Sequence, residues 1–156
     1  LLPEMDQYVA PGAEIEILAE GFGWSEGPVW VDRLNAVIFS DVPSNKIYKW
    51  DEKDGLSVFL DPSGFTGIAP REKKGSVNAE NRDESGSNGL VLDDNGDLNI
   101  CMHGDRRIAR LDDWDKNTFS TIIGKYQGKF FNSPNDLVFA KNGDSYFTMS
   151  AGYENA

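Results

Sequence analysis

The sequence predicts an all-β chain built from repeated antiparallel units, and three observations predict it. Short apolar segments alternate with turn residues along the whole length. Sixteen glycines and seven prolines supply those turns. One pattern of strand, turn and strand then recurs three times. No stretch holds a helical period for long, and many short, evenly bounded strands fit a sandwich, barrel or propeller.

The candidate strands are Ile15–Ala19, Val29–Val31, Ala36–Ser40, Lys46–Trp50, Leu56–Leu60, Leu90–Leu92, Leu98–Met102, Arg107–Leu111, Phe119–Ile123, Leu137–Phe139 and Ser145–Thr148. The repeat selects among the all-β architectures. EGPVWVDRLNAVIFSD from Glu26, NGLVLDDNGDLNICMH from Asn88 and NDLVFAKNGDSYFTMS from Asn135 align without gaps over about their first dozen positions. Each begins with an oxygen-bearing side chain, continues into a short apolar strand, turns through polar residues and enters a second strand. The second and third turns carry Asn95-Gly96 and Asn142-Gly143, a strong hairpin signal because both residue types tolerate positive φ. Arg33-Leu34 stands there in the first copy, so a different turn is expected. KIYKWDE with LSVFLD then matches RIARLDD with FSTIIG, giving each unit two outer strands. A four-stranded unit recurring at about 40–60 residues is a propeller blade. Gly64–Ser87, rich in Gly, Ser and charge, reads as a long loop at one mouth, and its Lys73-Lys74 pair as solvated charge.

The 156 residues suffice for one domain with a core; hydrophobic residues are 39% and aromatic residues 12%, which argues against disorder. About two blades and the start of a third would not close a ring, so the expectation is an incomplete propeller within 1–156, a fragment that needs the remainder to close. A net charge of −11 argues against a nucleic-acid or anionic-membrane surface and suits a small neutral ligand or a cation. Cys101 is alone and cannot form an internal disulfide, so it does not reveal the compartment. No apolar run approaches the length of a membrane span. The first residue is Leu1 rather than Met, and no intact signal peptide is evident.

Glu26, Asn88 and Asn135 occupy one repeat position, just before the first strand of each unit. First strands line a propeller's central channel, so equivalent positions face one another there. One carboxylate and two amides make an oxygen-donor set suited to Ca²⁺, Mg²⁺ or Mn²⁺, whereas Zn²⁺ would more often recruit His or Cys. Taken singly, each is also a common turn residue. The same register sets Asp41 and His103 near one another at the far end of the second strand. His103, the sole histidine, is a candidate substrate contact or simply a satisfied surface residue. DDNGD at Asp93–Asp97 has its glycine misplaced for an EF-hand loop and reads as a hairpin turn. No P-loop, dinucleotide fingerprint, nucleophile elbow or zinc spacing is present. Ser133 is not in an elbow, and a Ser–His–Asp mechanism is not supported.

WSEGPVW at Trp24–Trp30, SNGLVLDDNGDL at Ser87–Leu98, MHGDRRIARLD at Met102–Asp112 and NSPNDLVFAKNGDSYFT at Asn132–Thr148 resemble the gluconolactonase, senescence-marker-protein and luciferin-regenerating-enzyme family, in its bacterial gluconolactonase branch. The resemblance implies a six-bladed β-propeller of about twice this length, of which this chain is the N-terminal part. It implies hydrolysis of a sugar lactone with one divalent metal ion, Ca²⁺ ahead of Mg²⁺, Mn²⁺ or Zn²⁺. Glu26 and Asn135 would bind the metal, and Asn88 would lie beside it and hold water or substrate, with His103 as a second substrate contact. The family's metal-binding Asp, also its expected general base, would lie beyond Ala156. The chain departs from the family's FTDP at Phe147-Thr148-Met149-Ser150. The alternatives are a non-catalytic propeller with a structural metal, and a strictosidine-synthase-like or arylesterase propeller.

Overall fold

The computed structural model describes residues 3–68 and 84–149. Lys73-Lys74, most of the long loop and Ser150 lie outside them. The described elements are β1 (Ser25–Val31), β2 (Ala36–Asp41), β3 (Lys46–Asp51), β4 (Gly55–Leu60), β5 (Ser87–Leu92), β6 (Leu98–Met102), β7 (Arg107–Asp113), β8 (Thr118–Ile123), β9 (Lys125–Tyr126), β10 (Lys129–Phe130), β11 (Pro134–Phe139) and β12 (Ser145–Met149), with 3₁₀ turns at Pro3–Gln7 and Asp32–Leu34. Strands β1 to β4 form one antiparallel four-stranded sheet in chain order, and β5 to β8 form a second. β11 and β12 begin a third, and β9–β10 is a two-residue hairpin beside it in sequence. The fold is therefore all-β, as expected. Among the described residues no helix is long and apolar enough to cross a membrane.

The sheets stack face on face because each strand alternates its side chains. Ile38, Ile47 and Leu60 of the first sheet pack with Leu90, Ile100, Met102, Ala109 and Leu111 of the second. The opposite face of the second sheet presents Cys101 and Ile108 to Leu137 of β11, with Phe139 and Phe147 alongside. On the far face of the first sheet, Phe22, Phe39 and Tyr48 form a ring cluster with centroids 4.9–5.9 Å apart.

Two expectations need correction. Ile15–Ala19 forms no strand: Ile15 is 99% and Ile17 76% exposed. Alternating apolar residues suit a pleated surface, but among the described residues nothing pairs with this segment. The Asn-Gly turns also differ in detail. Gly96 and Gly143 are left-handed, at φ 78° and 87°, whereas Asn95 and Asn142 are not among the residues with positive φ. Each glycine follows a turn held by a side chain: Asp93 Oδ1 accepts from the Asn95 and Asp97 amides, and Asn142 Oδ1 from Asp144. The first-copy turn is indeed different, a 3₁₀ turn ending at left-handed Asn35.

Candidate active site at the bulged inner strands

β1, β5 and β11 are the first strands of successive sheets, and each bears a β-bulge at its start. Pairing shifts between Glu26 and Val29, between Ser87 and Leu90, and between Pro134 and Leu137. A bulge re-aims side chains and sharpens the local twist. Here it falls at Gly27-Pro28, directly after Glu26, and at Asn88-Gly89 and Asn135-Asp136, at or beside the repeat position that the sequence singles out.

The glycines after Glu26 and Asn88 let the inner strands touch. A methyl group on Gly27 would lie 2.6 Å from the Asn88 carbonyl oxygen, and one on Gly89 would lie 2.9 Å from that of Asn135. Both are closer than any real Cβ contact, so only hydrogen fits. The structure thus sets the three site residues on adjoining strand ends. Asn88 Nδ2 donates to Asn135 Oδ1 at 2.9 Å. That bond leaves Asn88 Oδ1 and a second lone pair of Asn135 Oδ1 to accept or coordinate. Glu26 Oε1 accepts from the Trp24 indole at 2.7 Å, and among the described residues its carboxylate makes no hydrogen bond to either asparagine. Asn88 is buried, while Glu26 and Asn135 are half-buried.

A buried hydroxyl chain supports Asn88. The hydroxyls of Ser40 and Ser87 lie 2.7 Å apart, Ser40 also donates to the Asn88 carbonyl, and Ser87 donates to Ser63 Oγ. All three serines are fully buried. Ser133 is buried as well.

Asp41 and His103 are not equivalent. Counted from the hairpin turn, Ala36 and Ile38 match Leu98 and Ile100, but β2 takes six residues to reach Asp41 where β6 takes five to reach Met102, because the first ladder carries an extra pair, Glu26 with Ser40, beside its bulge. Asp41 pairs with Ser25 as Met102 pairs with Ser87. His103 corresponds to Val42: the Val42 amide donates to the Trp24 carbonyl, and the His103 amide donates to that of Gly86. Asp41 Oδ1 accepts from the Gly23 and Trp24 amides. His103 is 3% exposed, and among the described residues neither ring nitrogen has a hydrogen-bond partner. The Glu84 backbone favours its charged form but meets hydrogen-bond geometry with neither nitrogen, and burial pushes its pKa down to about 4.

The rest of the HGDRR turn ties down neighbouring chain. Asp105 Oδ1 accepts from the Thr66 amide and its Oδ2 from the Thr66 hydroxyl, and Asp105 forms a buried ion pair with Arg107 at 3.1 Å. Burial pushes the Cys101 thiol up to about 12, with Asp136 adding to the effect.

Residues 24–155 match the family described as SMP-30/Gluconolactonase/LRE-like region. The chain belongs to this family. A gluconolactonase of Zymomonas mobilis is 39% identical over 146 residues, which are 94% of this chain and 38% of that protein. A solved structure described as a gluconolactonase by structural genomics shares 34% identity at a TM-score of 0.72, covering 93% of this chain and 42% of that one. A gluconolactonase from Xanthomonas campestris, described as important in glucose secondary metabolism, shares 30% identity at 0.64, covering 85% and 37%. The chain therefore spans about two fifths of the length of these gluconolactonase relatives.

Within the family's frame, the bulges, Gly27 and Gly89, and the serine chain are site features that strand periodicity does not disclose. The glycines were visible as a Gly after the site residue in the first two copies, replaced by Asp136 in the third. The donor set fits one side of a hard-cation site: a carboxylate and amide oxygens at adjoining strand ends, with no soft ligand. Among the described residues no three His, Cys, Asp or Glu side chains gather as a metal cluster.

Proposed function

We propose that the two sheets and β11–β12 are consecutive blades of a six-bladed propeller that hydrolyses a sugar lactone at the bulged ends of its inner strands. The observation that carries this reading is the Asn88–Asn135 hydrogen bond at the family's motif positions, beside the strand that bears Glu26. The gluconolactonase names of the relatives support the substrate class.

Glu26 and Asn135 would hold one divalent cation, Ca²⁺ by preference for an all-oxygen set. When bound, the ion supplies Lewis-acid polarisation of the lactone carbonyl and lowers the pKa of water. Glu26 contributes the charge, and the Trp24 indole fixes one of its oxygens. The amide pair is neutral and so does not quench the cation. Asn88, held by the serine chain, offers its oxygen to water or a ring hydroxyl, and the Asn135 carbonyl holds its NH₂ in place. His103, its ring buried, stays neutral at pH 7. The general base is an Asp of a later blade, as the family resemblance implies.

The test is gluconolactone hydrolysis by the intact protein, with and without chelator, alongside Glu26→Gln. Chelation and Glu26→Gln are each expected to lower kcat/KM at least a hundredfold, and Glu26→Gln to weaken Ca²⁺ binding in calorimetry with the fold retained. Full turnover after chelation would remove the metal from the reaction, and unchanged Ca²⁺ affinity would remove Glu26 from the site.

A further inference from the structure

Asn45 and Arg106 stand at equivalent places in the first two repeats, each in the turn that follows the second strand of its sheet. Both have left-handed backbone, at φ 57° and 56°. Asparagine visits that region readily, whereas arginine does so only when its surroundings hold it there.

Asn45 grips chain that meets Ser87 beside the next bulge, and Arg106 grips the chain that leads into the one after. Asn45 Oδ1 accepts from the amides of Gly64 at 2.8 Å and Phe65 at 3.0 Å, and its Nδ2 donates to the Phe65 carbonyl at 3.1 Å. The Asn45 carbonyl accepts from the Ser63 amide at 2.9 Å. Ser63 Oγ in turn accepts from the amide and the hydroxyl of Ser87, the residue before Asn88. Arg106 Nε donates to the Phe131 carbonyl at 2.6 Å, and its Nη2 reaches Asn132 Oδ1 at 3.4 Å. Phe131 is buried, with its ring 5.1 Å from that of Phe147, and the chain runs on through buried Ser133 and Pro134 to Asn135. One device thus recurs with different chemistry: an amide that mimics backbone in the first copy, a guanidinium in the second.

We propose that Asn45 and Arg106 are positioning residues, setting the bulges that aim the Asn88 and Asn135 side chains at each other. The proposal rests on the reading of those two amides as site residues, and it adds what holds them. A clamp one linker away fixes where the strand begins, and a shift of about 1 Å in a site group is enough to lose a large part of turnover. Neither residue touches substrate.

The experiment uses Asn45→Gly and Arg106→Gly in the intact protein, because glycine accepts the left-handed backbone and only the clamp is lost. The direct readout is proton exchange of the Asn88 side-chain amide by NMR, with KM, kcat and the thermal midpoint measured on the same samples. Each variant is expected to speed that exchange at least tenfold and to lower kcat/KM at least tenfold while the protein stays folded at the assay temperature. Arg106→Lys, which keeps the charge but not the fork, is expected to behave as Arg106→Gly does. Exchange within twofold of wild type in both glycine variants overturns the proposal, whatever the activity. Faster exchange with unchanged turnover upholds the positioning and takes the amide pair out of the reaction, so the two readings fail separately. Should Arg106→Gly not fold, Asn45→Gly and Arg106→Lys decide by the same readout.

Discussion

His103 occupies in the second sheet the place that Val42 holds in the first, its amide bonded to Gly86 as that of Val42 is to Trp24. Val42 is fully buried and apolar. The fold thus has room for a hydrophobic side chain there, and the second repeat fills it with an imidazole whose two nitrogens find no partner among the described residues.

An acid-sensitive stability follows. The unfolded histidine titrates near 6.5, and burial holds the folded one near 4. Its folded pKa is depressed, so the unfolded chain binds the extra proton first, and stability falls as pH drops from about 6.5 towards 4. By linkage, 2.5 pH units at 1.36 kcal/mol each is at most roughly 3 kcal/mol. Urea unfolding between pH 7.5 and 4.5 should show this loss in the wild type. His103→Val should lose less over the same range, by about the same amount, since the carboxylates common to both cancel. Parallel pH profiles for the two proteins would count against it.

The strand contact at Gly89 makes a second prediction. A methyl group there meets Asp136 Cα at 2.8 Å and the Asn135 carbonyl oxygen at 2.9 Å, both backbone atoms that cannot swing aside. Gly89→Ala should destabilise the protein by about 1–3 kcal/mol, the cost of overpacking, and should also weaken substrate turnover by parting β5 from β11. Gly128→Ala is the control: nothing lies within 4 Å, only the left-handed φ of 82° is strained, and its cost should be about 1 kcal/mol with turnover intact. Denaturant midpoints and kcat/KM on both variants check the contrast.

The buried pair of Asp105 and Arg107 makes a third. Their side chains are 0% and 3% exposed, so removing the carboxylate leaves a cation without its partner in a dry site. Asp105→Ala should cost about 3–5 kcal/mol, whereas Asp105→Ala with Arg107→Met should recover much of that loss. Thr66 also loses both of its bonds to Asp105, so protease cleavage near residues 64–68 should rise in either variant. Equal stability of the single and double variants would show that the charge is not what matters.

Most of the strand order was legible because short apolar runs are bounded by turn residues: β2, β3, β6 and β7 fall within two residues of where the pattern puts them, although β6 is buried at every position and shows no alternation. The repeat position of Glu26, Asn88 and Asn135 was legible for the same reason. The rest depends on contacts that have no sequence period. Ile15–Ala19 carries a strand-like apolar pattern, yet has no neighbour to pair with among the described residues. The extra Glu26–Ser40 pair makes β2 one residue longer than β6, so an ungapped comparison of Asp41 with His103 fails at the far end of the strand. A bulge needs only one extra residue, and Asn88-Gly89 looks like any turn dipeptide. The left-handed backbone of Arg106 is a tertiary effect, contrary to what arginine prefers alone.

The hairpin tips at 32–35 and 93–97 lie at the opposite ends of their strands from Glu26 and Asn88. Residues added at a tip are therefore added far from the two side chains. A reporter peptide or a dye-bearing cysteine belongs there, at Asp94–Asn95, where the chain faces solvent. Surface immobilisation through that tip would leave the bulged mouth open to small molecules.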